Sequence, residues 1–308
     1  MPPDSWILSE PYAGLQAQAL GLAEAAGLTP RLLELEPRAP WRWLPAAFWP
    51  RPLSGVGMIA PPGGLLFTAG GTAAAVGAAC RRRGAVVVQV QNPRMDPRRF
   101  DLVVANAHDG LQGPNVIVTR TALHRVTPQR LAAARTEWQA RLAHLPRPLV
   151  AVLIGGSNGR FRLGAAEGEA LARRLAMMGN RDRCGLAITP SRRTAPEVRE
   201  TLARILSPLG AWVWDMQGDN PYYGLLALAD AIVVTVDSIS MVSEAVATHA
   251  PVLVADLPGR SRRIARFRQG LLKEGRVRPF SGRLEFWPVL PLDDTARAAE
   301  EMKRRLGI

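Results

Sequence analysis

Lysine is almost missing from this 308-residue chain: of its 39 basic residues all but Lys273 and Lys303 are arginines. No tyrosine stands four residues before either lysine, so the Tyr-x-x-x-Lys pair of nucleotide-sugar epimerases and short-chain reductases is absent. The Gly-rich dinucleotide loop those enzymes carry in their first βα turn is absent too. Cysteine is as sparse. Cys80 and Cys184 lie far apart and make neither a disulfide framework nor a cysteine zinc site. His108, His124, His144 and His249 are scattered with no metal-ligand spacing, so no metal is expected. Long apolar runs are missing as well. The longest weakly polar stretch, Leu65 to Cys80, is broken by Gly70 and Gly71 and is too short to span a bilayer. Met1-Pro2-Pro3-Asp4 leads from no basic segment into an apolar core, so no signal peptide is expected. These absences describe a cytoplasmic, soluble protein, with peripheral contact at the inner membrane left open.

The composition is that of a globular protein, 47% hydrophobic and 21% charged, long enough for two domains of ordinary size. A net charge of +13 favours anionic partners. No nucleic-acid reader motif accompanies it, and a nucleic-acid partner is not expected.

Around Leu149 to Thr194 the chain is most informative. Leu149 to Ile154 is a short apolar run that breaks into Gly155-Gly156-Ser157-Asn158, ahead of a helical segment at about 165–178. Glycines let backbone N–H groups approach a ligand, and a helix N-terminus favours negative charge. The stretch reads as the phosphate end of a nucleotide site, or as a plain turn. A second unit follows at once: strand Gly185 to Thr189 ends in Ser191-Arg192-Arg193-Thr194 before a helix at about 195–206, and arginine there can pair with phosphate in a bidentate way. A third polar strand end comes later. Ala231 to Val236 is a buried strand that breaks at Asp237-Ser238-Ile239-Ser240-Met241 into helix 241–248. Its small hydroxyl residues cap that helix or offer N–H groups to a diphosphate, and Glu244 one turn in can accept from a ribose hydroxyl. In parallel sheets all three ends face one crevice. Carboxylate pairs of the DxD type are not evident at these ends, so arginines and helix termini are expected to neutralise a diphosphate in place of Mg²⁺.

The remainder alternates strands and helices. Trp6–Leu8, Leu32–Leu35, Leu65–Thr68, Ala85–Val90, Leu102–Ala105 and Asn115–Val118 make a first Rossmann-like half, closed by a helix at 128–143. The hinge falls at Arg147-Pro148, giving domains of 1–146 and 147–308. In the second half, Ala211–Trp214 is a third strand, a short helix starts at about Tyr222, and Pro251–Val254 closes the sheet. Trp41 to Trp49, dense in tryptophan, proline and arginine, is either a flap touching an acceptor or an anionic membrane surface, or a loop that plugs tryptophans into its own domain. His108 and Asp109 follow a strand and are candidates for acceptor contact or proton handling, or a structural pair in a turn. Arg260, Arg262, Arg263, Arg266 and Arg268 read as a solvated face or a partner site.

The run from Asn220 to Ala245, with Gly155-Gly-Ser-Asn, Ser191-Arg-Arg-Thr, His108-Asp-Gly-Leu, Gly113-Pro-Asn-Val and Leu123-His-Arg-Val-Thr-Pro, resembles the mitochondrial-fission family of elongated-mitochondria-type proteins and their bacterial relatives. The resemblance spans about Gly14 to Gly282. It implies a GT-B-like α/β fold, two Rossmann-like domains facing a cleft, with a nucleotide-sugar as substrate, an unknown acceptor and no cofactor. It further implies that Glu244 takes the ribose, that Gly155 to Asn158, Ser191 to Thr194 and Ser238, Ser240, Met241 and Ser243 take the diphosphate side with Tyr222 nearby, and that the final helix, 293–306, returns to the N-terminal half. One departure stands out: relatives carry Gly-His-x-x-Gln in the first loop, whereas this chain has Leu15 where the histidine would fall. The implied activity is glycosyl transfer, and the alternative is a nucleotide-binding or membrane-associated scaffold of the same fold.

Overall fold

The computed structural model describes residues 4–308; Met1, Pro2 and Pro3, which entered the reading of the N-terminus, lie outside the described residues. Two compact units emerge, residues 1–125 with 293–308 and residues 126–292. Among the described residues no helix is long and apolar enough to cross a membrane.

The first unit comprises β1 (Ser5–Ser9), α1 (Ala13–Ala25), β2 (Arg31–Glu34), α2 (Pro52–Gly55), β3 (Leu65–Ala69), α3 (Gly71–Arg81), β4 (Val86–Val90), β5 (Leu102–Asn106) and β6 (Val116–Thr119). Its sheet is parallel, in the order β2-β1-β3-β4-β5-β6. Strands buried on both faces must be mostly apolar, and β3 and β5 are buried along their length with only Thr68 and Asn106 polar, each hydrogen-bonded to a neighbouring strand. The order reverses between β1 and β3, the first switch point.

The second unit comprises α4 (Pro128–Leu142), β7 (Leu149–Ile154), α5 (Ala165–Asp182), β8 (Gly185–Pro190), α6 (Pro196–Leu206), β9 (Trp212–Val213), α7 (Tyr222–Leu228), β10 (Ala231–Thr235), α8 (Ile239–Val246), β11 (Val252–Ala255), α9 (Arg262–Lys273) and β12 (Val277–Pro279). The parallel order is β12-β11-β10-β7-β8-β9, so this sheet reverses between β7 and β10. In its centre Val234 lies opposite Leu153 on one side and Val254 on the other, all buried.

The structure corrects two expectations and agrees with the solvated-face reading of a third, the arginines after β11. Helix α4 was assigned to the first half with the hinge at Arg147, yet its inner face, Ala134, Trp138 and Leu142, packs in the second unit's core. Gly224 makes this possible, because a Cβ there would stand 2.3 Å from the Trp138 ring. The boundary therefore falls before Thr127, whose hydroxyl accepts from Arg130 N at 3.1 Å and starts the helix with Pro128 behind it. Secondly, β11 does not close its sheet. Strand β12 does, with only Val277 buried, too little apolar sequence to read as a strand. Thirdly, the arginines after β11 sit on a helix, α9, whose Ile264, Phe267 and Leu271 turn inward while Arg262, Arg263 and Arg266 face solvent.

Helix α10 (Thr295–Leu306) buries Ala298, Ala299 and Met302 in the first unit's core. Asp294, before it, is buried and accepts from Arg120 N at 2.6 Å and Arg120 Nη2 at 2.7 Å. Burial would raise the Asp294 pKa, but the bonds from Arg120 outweigh it and hold the carboxyl below its ordinary value. Both cysteines are buried, which pushes their thiols up to about 11 and leaves them inert.

The second unit also encloses a guanidinium. Arg276 donates to Val246 O at 3.0 Å, Thr248 O at 2.6 Å and Ala250 O at 3.1 Å, so it closes the carboxyl end of α8 and the turn beyond. Its removal orphans buried carbonyls. Arg276→Ala is expected to cost about 3 kcal/mol in urea unfolding, while Arg173→Ala, which breaks only an exposed helical pair with Glu169, stays within about 0.5 kcal/mol.

Candidate functional site

The carboxyl ends of β7 and β10 meet at the second sheet's switch point, where open parallel sheets take their ligands. Gly155 N donates to Thr235 Oγ1 at 2.8 Å and Gly156 N to Asp237 Oδ2 at 3.1 Å. Asp237 is buried, and its carboxylate also receives Thr235 Oγ1 at 2.7 Å and Arg193 Nη2 at 2.9 Å. A Cβ on Gly155 would stand 2.2 Å from Asp237 Oδ1, and one on Gly156 would stand 2.1 Å from the Arg193 carbonyl oxygen. The two glycines thus admit a neighbouring carboxylate and a neighbouring backbone.

The surrounding residues lock the same joint. Thr194 Oγ1 donates to Gly155 O at 2.5 Å and accepts from Ser191 N at 2.8 Å. Arg193 Nη1 donates to Gly156 O at 3.2 Å. Ser157 Oγ accepts from Leu163 N, and Asn158 Oδ1 accepts from Arg160 N and Phe161 N, which folds the loop back on itself. Ser238 Oγ accepts from Met241 N at 3.3 Å and caps α8. Arg192, by contrast, is exposed and makes no ion pair among the described residues. Of the two adjacent arginines, Arg193 is committed to Asp237 and Arg192 is available to an anion.

On α8 Glu244 is half-buried and faces Tyr222 at the start of α7, whose hydroxyl donates to Glu244 Oε2 at 2.5 Å. Burial pushes the Glu244 carboxyl up to about 7 against the opposing pull of that bond, and burial beside Glu244 raises Tyr222 well above its ordinary value. Ser243 is fully buried, whereas Ser240 and Met241 are half-buried. Beside this edge a groove of about 750 Å³ opens past β10 and β11, lined by Phe161, Val236, Leu257, Arg260, Arg262 and Ile264 among others. That volume lies within the usual range for small-molecule sites.

The first unit has its own switch-point cluster. Glu10 follows β1, and its carboxylate lies across the Gly70 backbone, where a Cβ would stand 2.1 Å from Glu10 Oε2 and 2.9 Å from Leu15 Cδ1. Gly70 has φ +101°, a conformation few other residues adopt. Gln18 is buried nearby and accepts from Gln91 Nε2 at 3.0 Å. His108 and Asp109 stand apart, at the end of β5, two strands beyond β3. The His108 ring is buried, with Nε2 3.8 Å from Asp109 Oδ1.

Sequence reasoning passed over Asp237 and Glu10. The signal for Asp237 was legible, since a carboxylate closely following an apolar run cannot be buried without a cation or donors. Leu123-His-Arg-Val-Thr-Pro turns out to be a joint: His124 Nε2 lies 3.3 Å from Asp293 Oδ1, Arg125 pairs with Glu24, and a Cβ on Gly21 would meet the His124 carbonyl oxygen at 2.2 Å.

The family described as mitochondrial fission ELM1 matches residues 13–306. The mitochondrial fission protein ELM1 of Arabidopsis thaliana is 35% identical over 251 residues, 72% of this chain, and the match spans 58% of that longer protein. MurG of Acinetobacter baumannii superposes with a TM-score of 0.51 at 15% identity, over 98% of this chain and 90% of that one. The UDP-GlcNAc 2-epimerase of Neisseria meningitidis, in a structure bound to UDP-GlcNAc, superposes with a TM-score of 0.54 at 13% identity, over 98% and 99% of the two chains. At such identities these likenesses establish the fold, α/β of the GT-B type.

Two outcomes follow from the geometry. Asp237→Ala leaves the buried Gly156 N–H without its acceptor and should destabilise the protein by about 2–3 kcal/mol in urea unfolding. For Glu244 the native pKa of about 7 exceeds the ordinary 4.5, so the folded state binds the proton more tightly. Stability must then fall as pH rises from about 4.5 to about 7 and level off above, and Glu244→Gln should remove that slope, worth up to about 3 kcal/mol. Denaturation midpoints at mildly acid and mildly alkaline pH measure it.

Proposed function

This chain belongs to the mitochondrial fission ELM1 family, and from that premise we propose that it is a GT-B-like glycosyltransferase that binds a nucleotide-sugar in its second unit, without a metal, and passes the sugar to an acceptor. The observation that carries the reading is Glu244, a half-buried carboxylate on the helix that follows β10 at the second sheet's switch point, with Oε2 already held by Tyr222. A UDP-GlcNAc-bound enzyme of the same fold supports a nucleotide-sugar as the ligand class.

In this reading Glu244 accepts from the ribose through Oε1, with Oε2 held by Tyr222. Arg192, Ser191 and the first turn of α8, Ser238 to Ser243, take the diphosphate. Gly155 to Asn158, with Arg193 and Thr194, form the rigid wall behind it. An acceptor oxygen attacks the anomeric carbon, the bond to the diphosphate breaks, and the departing charge is neutralised by arginine and helix N–H groups. The acceptor's proton needs a base. Leu15 offers none.

A specific residue also favours a second reading, a nucleotide-binding scaffold without turnover: Leu15 itself, apolar where relatives carry histidine.

Thermal stabilisation by nucleoside diphosphates and nucleotide-sugars tests binding. A ligand of the folded state at a hundred times its dissociation constant adds about 2.7 kcal/mol. The shift is expected to vanish in Glu244→Ala and to weaken in Arg192→Ala. Because the ionised carboxylate is the better acceptor, affinity should rise as pH climbs through about 7. Sugar transfer by the parent chain that is lost in Glu244→Ala together with donor binding supports catalysis. Donor binding with no turnover in the parent chain supports the scaffold, and no binding across the panel would falsify both.

A further inference from the structure

From Pro37 to Met95 the chain contains no aspartate or glutamate, while Arg38, Arg42, Arg51, Arg81, Arg82, Arg83 and Arg94 fall within it. Nowhere else is the charge so one-sided for so long. At the start of this stretch large apolar side chains point to solvent: Trp43 is 68% exposed, Leu44 51%, Phe48 79% and Ile59 94%. Folding ordinarily hides such groups, and several together in one short segment mark an interaction surface.

The segment is built to hold them outward. Trp41 and Trp49 turn inward, their ring centroids 6.1 Å apart, and pack on Gly55, where a Cβ would stand 2.8 Å from the Trp49 ring. Trp49 Nε1 donates to Leu44 O at 3.0 Å, Arg38 N to Gly55 O at 2.8 Å and Arg42 N to Arg38 O at 3.1 Å. The Arg38 guanidinium lies across Gly57, and Leu53 anchors the segment in the first unit's core. The two readings of Trp41 to Trp49 are therefore both met, by different tryptophans. Trp41 and Trp49 plug the domain; Trp43 does not.

We propose that Trp43, Leu44, Phe48 and Ile59, with Arg42 over Trp43 and Arg38 and Arg51 exposed in the same segment, form a docking surface for an anionic phospholipid bilayer. Charge complementarity selects this occupant. Tryptophan and arginine favour the headgroup region, where an aromatic ring reaches the acyl boundary and a guanidinium stays with phosphate. Arg42 already sits 4.8 Å over the Trp43 ring, so the cation and the apolar wedge are presented as one unit. An uncharged apolar partner would have no use for Arg38, Arg42 and Arg51, which share the segment with no acid among them. The surface lies within the first unit and shares no residue with the donor site proposed on the second.

Flotation of the full chain with vesicles decides the matter. The parent chain should bind vesicles of equal phosphatidylcholine and phosphatidylglycerol, release with rising salt, and ignore vesicles of phosphatidylcholine alone. Trp43→Ser with Phe48→Ser and Ile59→Ser should lower binding at least about tenfold, since each buries a large apolar group in the bilayer. Arg42→Gln and Arg51→Gln should each lower it about fivefold, the effect of about 1 kcal/mol per surface cation. Leu290→Ser, at a site 81% exposed in the other unit, should bind as the parent does. All these side chains are exposed, so melting temperatures should not move, and a triple variant that loses both binding and melting transition is replaced by the two arginine variants. Equal binding to both vesicle types, or undiminished binding by the Trp43, Phe48 and Ile59 variant, overturns the proposal. So does a monomer–dimer equilibrium abolished by that variant in the absence of lipid, which would assign the surface to a second copy of the chain.

Discussion

The carboxylate of Asp237 is the fixed point on which the second unit's carboxyl edge depends. A charge placed two residues beyond a buried strand has to be compensated where it stands, and here the compensation comes from the loops after β7 and β8 and from the end of β10. Gly156 supplies a backbone donor, Thr235 a hydroxyl and Arg193 a guanidinium. Each constraint fixes a neighbour. Gly155 must lack a side chain because Asp237 occupies the space, and Gly156 must lack one because the Arg193 backbone does. The loop after β7, the loop after β8 and the start of α8 therefore cannot move independently. A ligand meeting this edge finds a preorganised wall whose internal charges are already balanced, and the cation left to act outward is Arg192.

This explains how a phosphate-loop reading of Gly155-Gly-Ser-Asn was sound in position and incomplete in chemistry. The alternation of apolar strands and helices was legible in the sequence because both sheets are parallel and covered on both faces, which forces runs such as Leu149 to Ile154 and Ala231 to Val234 to be apolar. What the pattern could not disclose was long-range pairing. Helix α4 looks the same whichever unit it joins, and only the notch at Gly224 for Trp138 assigns it. Strand β12 carries one buried residue and no run. Glu10 is separated from Gly70 by sixty residues, and nothing local in either segment announces that they touch.

The epimerase question turns on the same distinction between local motif and fold. The missing Tyr-x-x-x-Lys pair excludes enzymes that work through a dinucleotide, yet a UDP-GlcNAc 2-epimerase without sequence likeness to this chain shares its two-sheet architecture. A motif can exclude only the chemistry that needs it. At the first switch point this chain has a leucine, a carboxylate and a hydrogen-bonded glutamine pair, Gln18 buried and Gln91 half-buried.

The arginine excess divides by burial into parts with different physical meaning. Arg276 is enclosed and acts as a hydrogen-bond donor to carbonyls, contributing to one helix end and nothing beyond it. Arg193 and Arg120 each pair with a buried carboxylate, so their charge is neutralised within the molecule. Exposed pairs such as Arg304 with Glu301 are screened by solvent and add little to the field. Net charge alone therefore points to no partner. Between Pro37 and Met95, where no acid falls in sequence, Arg81 is still neutralised by Asp101, whereas Arg42 reaches outward over Trp43, one of the most exposed aromatic side chains of the first unit.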